Sequence, residues 1–107
     1  MAEQHTNEEM ATERGDGEVV HNEAEHRFEL PIEGGLALIA YRREGDVLVM
    51  HHTEVPEESE GEGYGSRLVR GALRIVEESG LRIRPACPFV RAYIERHPEH
   101  GSLVAQS

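Results

Sequence analysis

Several groups of residues in this sequence have types and spacings that chemistry uses. The densest is Gly61-Glu62-Gly63-Tyr64-Gly65-Ser66. Glycines at alternate positions let a backbone turn sharply and leave its N–H groups uncovered. Where such a loop opens a helix, the partial positive charge of the helix end adds to those donors, and the combination suits a phosphate or a diphosphate. The alternative is a plain flexible linker. The loop is not a P-loop, because Ser66-Arg67 follows Gly65 where Lys-Ser or Lys-Thr is required, and its third glycine falls one residue early for a dinucleotide fingerprint. Cys87 precedes Pro88 at the start of an expected helix. A cysteine at an N-cap meets free N–H groups and the positive dipole end, which favours the thiolate; a small buried residue closing the helix is the alternative. Tyr93 supplies a phenol that is either a proton donor or an aromatic packed with Phe89, Val90 and Ile94. His51 and His52, adjacent on an expected strand, should face opposite sides, so they are not joint metal ligands. His52 is a candidate base, with Glu54 as the alternative on the same face. His97-Pro98-Glu99-His100 offers no third ligand at a sensible spacing, so it reads as a solvated helix end and no metal is expected.

These residues need elements to position them. Val19-Val20-His21-Asn22 is either a short strand or a lead-in segment. Arg27 to Ile32 alternates polar and apolar, with Phe28, Leu30 and Ile32 on one side, which is strand periodicity. Glu33-Gly34-Gly35 punctuates like a hairpin turn. Leu36 to Tyr41 is a dense apolar run of strand length, Arg43-Glu44-Gly45-Asp46 the next turn, and Val47 to Thr53 a third strand rich in β-branched residues. The half before Pro56 therefore reads as a meander of three strands, or four.

Beyond the acidic loop Glu57 to Glu62 the period changes. Leu68, Val69, Ala72, Leu73 and Val76 recur at helical spacing between Tyr64 or Gly65 and Ser79, with Arg67, Arg70, Arg74 and Glu78 opposite. Gly80 stands where a C′ glycine belongs. Leu81 to Pro85 alternates as a strand, and Pro88 to Arg96 forms a short helix that His97-Pro98 ends. The order β-β-β-α-β-α predicts an α+β fold: a mixed β-sheet, an antiparallel meander plus one parallel crossover, covered by two helices.

The chain has 107 residues, enough for one folded core. Residues 1–17 hold two methionines and two alanines as their only apolar groups and cannot offset their ordering entropy, so an acidic disordered leader is expected there, with the folded domain at 18–107. Mean hydropathy is -0.57 and no long apolar run occurs, so no membrane span is expected. The leader has neither a basic start nor an apolar stretch, which makes a cytoplasmic location the expectation. Asp plus Glu number 21 against 11 arginines, a formal net charge of -10, which disfavours nucleic acid as a partner. One cysteine excludes an internal disulfide framework.

The glycine loop, read as Glu60-Gly61-Glu62-Gly63-Tyr64-Gly65 after a strand and before a helix, resembles the diphosphate loop of the GCN5-related N-acetyltransferases, whose pattern is Gln/Arg-x-x-Gly-x-Gly/Ala. His52-Thr53-Glu54-Val55-Pro56, Ser66-Arg67-Leu68-Val69, Pro85-Ala86-Cys87-Pro88-Phe89-Val90, Tyr93-Ile94 and His97-Pro98-Glu99 are similar to the very small, YjdJ-type branch of that superfamily. The resemblance runs from Val19 to Val104. It implies acetyl-CoA as cofactor and transfer of an acetyl group to a small or exposed amine, in a monomer or weak homodimer. A non-catalytic module that binds or senses CoA is the alternative.

The resemblance also assigns roles. It implies that Thr53, Val55, Gly61, Glu62 and Gly63 hold the cofactor together with Tyr64, Gly65, Ser66 and Arg67, and that Pro88 and Phe89 complete the site. A backbone N–H near Val55 would polarise the acetyl carbonyl. Tyr93 matches the last-helix tyrosine that protonates the departing thiolate, Cys87 stands beside the acetyl group, and His52 takes the amine's proton. One departure is the carboxylate pair: Glu60 occupies the Gln/Arg position with Glu62 beside it, each opposing a diphosphate by about 0.5–1 kcal/mol.

Overall fold

A computed structural model of the chain describes residues 19–32, 35–56 and 63–105. The expected leader and Glu33-Gly34, Glu60, Gly61 and Glu62 lie outside the described residues.

The alternation in Arg27–Ile32 does what its period dictates. In this strand, β2, Phe28 and Leu30 are buried while Arg27 and Glu29 stay partly exposed. The stretch before it is a strand, β1 (Val20–Asn22), paired antiparallel to β2 with His21 opposite Phe28. β3 (Gly35–Glu44) is longer than its apolar run, because ladder pairing with β4 (Val47–Glu54) continues through Arg42 and Arg43 up to the turn at Gly45. Gly45 has φ +62, the left-handed conformation that glycine adopts without steric cost.

Helix α1 (Tyr64–Ser79) then crosses over to β5 (Arg82–Pro85), which runs parallel to β4. The result is one five-stranded sheet in the order β1-β2-β3-β4-β5, mixed as expected. Helix α1 stops where Gly80 adopts φ +74, and the Leu81 N–H donates back to the Val76 carbonyl. Helix α2 (Pro88–Arg96) follows, and a 3-10 helix (Pro98–Leu103) brings the chain back so that Val104 bridges Ile83 of β5.

Both helices pack on one face of the sheet. Leu68, Val69, Ala72, Leu73 and Val76 of α1, with Val90 and Tyr93 of α2, form one buried cluster with Phe28, Leu30, Ile39, Leu48, Met50 and Ile83. Each large aliphatic side chain removed from water here contributes about 1.5–3 kcal/mol, so this cluster fixes where the helix ends sit on the sheet.

Candidate active site

Parallel pairing between β4 and β5 ends at Met50 opposite Pro85. The Met50 carbonyl instead accepts the Cys87 N–H at 2.9 Å, which turns the chain from β5 into α2. Residues His51 to Glu54 continue on β4 without a β5 partner, so the two strands part here.

The parting strand carries an irregularity that the sequence does not announce. Tyr41 pairs with Met50 and Ala40 with His52, leaving His51 as an extra residue in β4. A one-residue bulge breaks strict alternation of side chains. Thr53, opposite the buried Ile39, therefore returns to the face that carries Met50. His52 and Glu54, opposite Ala40 and Leu38, lie on the other face, exposed, with His52 Nε2 3.2 Å from Glu54 Oε2. This corrects the expected simple alternation: His51 and His52 are both exposed, and His52 lies on the sheet face away from Cys87. The shared face of His52 and Glu54 is as expected.

The bulge brings Thr53 to Cys87, with Thr53 Oγ1 at 3.3 Å from Cys87 Sγ. Cys87 is the N-cap of α2, followed by Pro88 as its spacing predicts, and is 7% exposed. Burial is the largest influence on its thiol and pushes the pKa up. The Thr53 hydroxyl and the amides of Val90, Phe89 and Thr53 together outweigh it, so the thiol titrates below its ordinary range. The sulfur makes no cap hydrogen bond, so the helix amides act as oriented dipoles here.

Phe89 links the two helices. It remains 39% exposed, and its ring lies across the start of α1 at Gly65. A Cβ on Gly65 would stand 2.5 Å from Phe89 Cζ, so this position admits only glycine while the ring is there. Gly65 thus owes its identity to a close approach as well as to its amide. The N-cap of α1 is Gly63, at φ +82, with open space where a side chain would be. No side chain caps this end and its first turn holds no acidic residue. Arg67 donates its own N–H to the Gly63 carbonyl at 3.1 Å and places its guanidinium 5.2 Å from the centre of the Tyr64 ring. Ser66 is half-buried in the same turn, and Val55, just past β4, packs against the core. A helix start of this kind fits an anionic group such as a diphosphate.

Tyr93 lies on α2 beyond Val90, 4% exposed. Burial raises its pKa; Arg70 and Arg96 oppose the rise and Glu99 adds to it. No hydrogen bond among the described residues engages its hydroxyl, and no buried side-chain oxygen or nitrogen there lacks a partner. The ring is held by two histidines that sequence reasoning assigned to a solvated helix end. His97 stacks on it at 4.3 Å and 28°, and His100 lies at 5.9 Å. The segment is a 3-10 turn folded onto the phenol because Pro98 halts the helix. The signal for this was the spacing of Tyr93 and His97, four apart on one helix face.

A model of the family described as GCN5-related N-acetyl-transferase matches residues 27–103. The chain belongs to the GCN5-related N-acetyltransferase family. Its relatives include Protein NATD1 of Gallus gallus, 29% identical over 84 residues that cover 76% of this chain and 76% of that protein. Protein NATD1 of Homo sapiens is 29% identical over 83 residues, covering 75% and 74%. In fold, the chain is similar to the NMR structure of a GCN5-like protein from Staphylococcus aureus, described as a candidate N-acetyltransferase. The TM-score is 0.64 at 24% identity, over 84% of this chain and 89% of that one. N-acetyl transfer is the reaction for which the family is named, and in this member the family match spans every element from β2 to the 3-10 turn. No helix among the described residues is long and apolar enough to cross a membrane.

Proposed function

We propose that this family member is an acetyl-CoA-dependent N-acetyltransferase acting on a small or exposed amine. One observation carries the reading: the start of α1, the start of α2 and the parting end of β4 meet through Gly65 against Phe89 and Thr53 against Cys87. A diphosphate would lie on the uncapped amides at Gly63 to Ser66, beside Tyr64 and Arg67. A pantetheine arm would follow β4 from Thr53 to Val55, past Pro88 and Phe89. Gly61 and Glu62 would complete the loop.

When bound, acetyl-CoA supplies an activated acyl group as a thioester. The chain's own residues do the rest. A backbone N–H at Val55 polarises the acyl carbonyl, as an oriented dipole in a water-poor site does best. Tyr93, its pKa raised by burial, keeps its proton at neutral pH and gives it to the departing thiolate. Cys87 lines the acyl end, with Thr53 fixing its sulfur. His52, on the opposite face with Glu54, reaches the amine's proton only through water.

The test incubates the protein with acetyl-CoA and follows free thiol in the presence of polyamines, amino acids and basic peptides. Amine-dependent release that falls in Tyr93→Phe supports the reading. CoA binding without turnover on any amine identifies a binding or sensing module instead. Intact mass reports on Cys87: an added acetyl group lost in Cys87→Ala makes it a covalent carrier, and none leaves it a pocket wall.

A further inference from the structure

We propose that His97 is the positioning residue for Tyr93, its imidazole bracing the phenol ring and so fixing where the hydroxyl sits. The inference rests on the proton-donor reading of Tyr93 and adds a residue to it.

The geometry begins in the backbone. Helix α2 ends at Arg96, and the His97 N–H donates to the carbonyls of Tyr93 and Ile94 at 3.0 and 3.1 Å. Pro98 prevents continuation, and the 3-10 turn returns, its His100 N–H donating to the His97 carbonyl at 3.0 Å. This places His97 flat against Tyr93, with ring centres at 4.3 Å, and His100 near both rings. Glu99 lies 3.8 Å from His97 Nδ1 and 4.0 Å from His100 Nε2, near both imidazoles. The phenol therefore has a wall against one face.

A proton donor needs a fixed position. Tyr93 gives its Oη proton to the thiolate as the thioester's C–S bond breaks and the amine's N–C bond forms. The phenolate left behind regains a proton from water, which also takes the one lost by the amine. A side chain free to change its χ1 rotamer would carry Oη out of reach for part of the time, and a small misplacement of a reacting group costs large factors in rate. The charged and titratable groups facing Tyr93 are Arg70 from α1, Arg96 on α2, and His97, Glu99 and His100 from the chain that follows.

The experiment compares His97→Ala, which removes the wall, with His97→Phe, which restores a flat ring without a titrating group. In the amine-dependent assay, His97→Ala should lower kcat by about tenfold with KM for acetyl-CoA unchanged. His97→Phe should recover most of the loss. Independently of turnover, NMR of protein labelled at tyrosine Cζ follows the Tyr93 signal, assigned by its loss in Tyr93→Phe. Its titration midpoint lies above that of free tyrosine in the wild type, should fall toward it in His97→Ala as water reaches the ring, and should stay high in His97→Phe. Full kcat and an unmoved Tyr93 midpoint in His97→Ala overturn the positioning role. A fully active Tyr93→Phe overturns the donor role beneath it, whatever the His97 variants do.

Discussion

Replacing Thr53 by valine removes one hydroxyl beside Cys87 and nearly nothing else, since the two side chains match in shape. The hydroxyl sits 3.3 Å from the sulfur and leads the influences that hold the thiol below its ordinary range against the opposing push of burial. A hydrogen bond to a charged group contributes about 1.5–3 kcal/mol, and sulfur is a weak acceptor, so the low end applies. Thr53→Val should therefore raise the Cys87 pKa and lower its alkylation rate near neutral pH by about tenfold. The chain has one cysteine, so the pH dependence of its alkylation rate, read by intact mass, reports Cys87 alone. Stability should follow by linkage. An acid whose folded pKa is depressed stabilises the fold above its unfolded pKa, and the contribution is lost as pH falls through the folded value. The wild type should therefore gain thermal stability relative to Cys87→Ser as pH rises through that window, and Thr53→Val should gain less. An alkylation midpoint that stays put or moves down in Thr53→Val refutes the assignment of the lowered pKa to this contact.

Other expectations follow from packing and charge. Gly65→Ala sets a Cβ against Phe89 at 2.5 Å; Ala is favoured over Gly in a helix by about 1 kcal/mol, but overpacking costs about 1–3, so a net loss of stability and weaker CoA binding are expected. In a Phe89→Ala background the same change should become neutral or stabilising, and an equal cost in both backgrounds contradicts the contact. Leu73→Ala, at a fully buried position, should cost about 2–5 kcal/mol in chemical denaturation; a change near zero would contradict the core described. His21 stacks on Phe28 at 4.3 Å and meets the Tyr41 hydroxyl at 2.7 Å, and burial lowers its pKa against the pull of Glu23. Its neutral form is favoured in the fold, so stability should fall as pH drops from the ordinary imidazole range through the folded value. A His21→Gln variant should flatten that acid limb in thermal melts, and an unchanged limb would remove His21 as its source.

Much of the scaffold was legible because hydrophobic period tracks burial. Phe28 and Leu30 alternate, Leu68 to Val76 repeat at helical spacing, and Gly80 and Pro98 mark stops that the backbone obeys. β1 stayed ambiguous because three residues carry almost no period. The end of β3 was missed because its ladder continues under arginines whose side chains signal a turn.

The site was less legible, for geometric reasons. A single inserted residue, His51, reverses which of its neighbours face Cys87, and nothing in His51-His52-Thr53 distinguishes a bulge from a regular strand. The contact between Thr53 and Cys87 joins residues far apart in sequence and exists only after the crossover brings α2 beside β4. The expectation of a sharp helix start at Pro88 was met, since proline and the preceding cap act locally.

The central claim is that the start of α1 and the free end of β4 together hold coenzyme A. An NMR titration of the full chain with CoA, read at backbone amides, tests it most directly. The account predicts saturable shifts concentrated at Gly63 to Ser66 and Thr53 to Val55, with Cys87 and Phe89 following. Amides there that do not move at saturating CoA, or shifts confined to another face of the sheet, would contradict it.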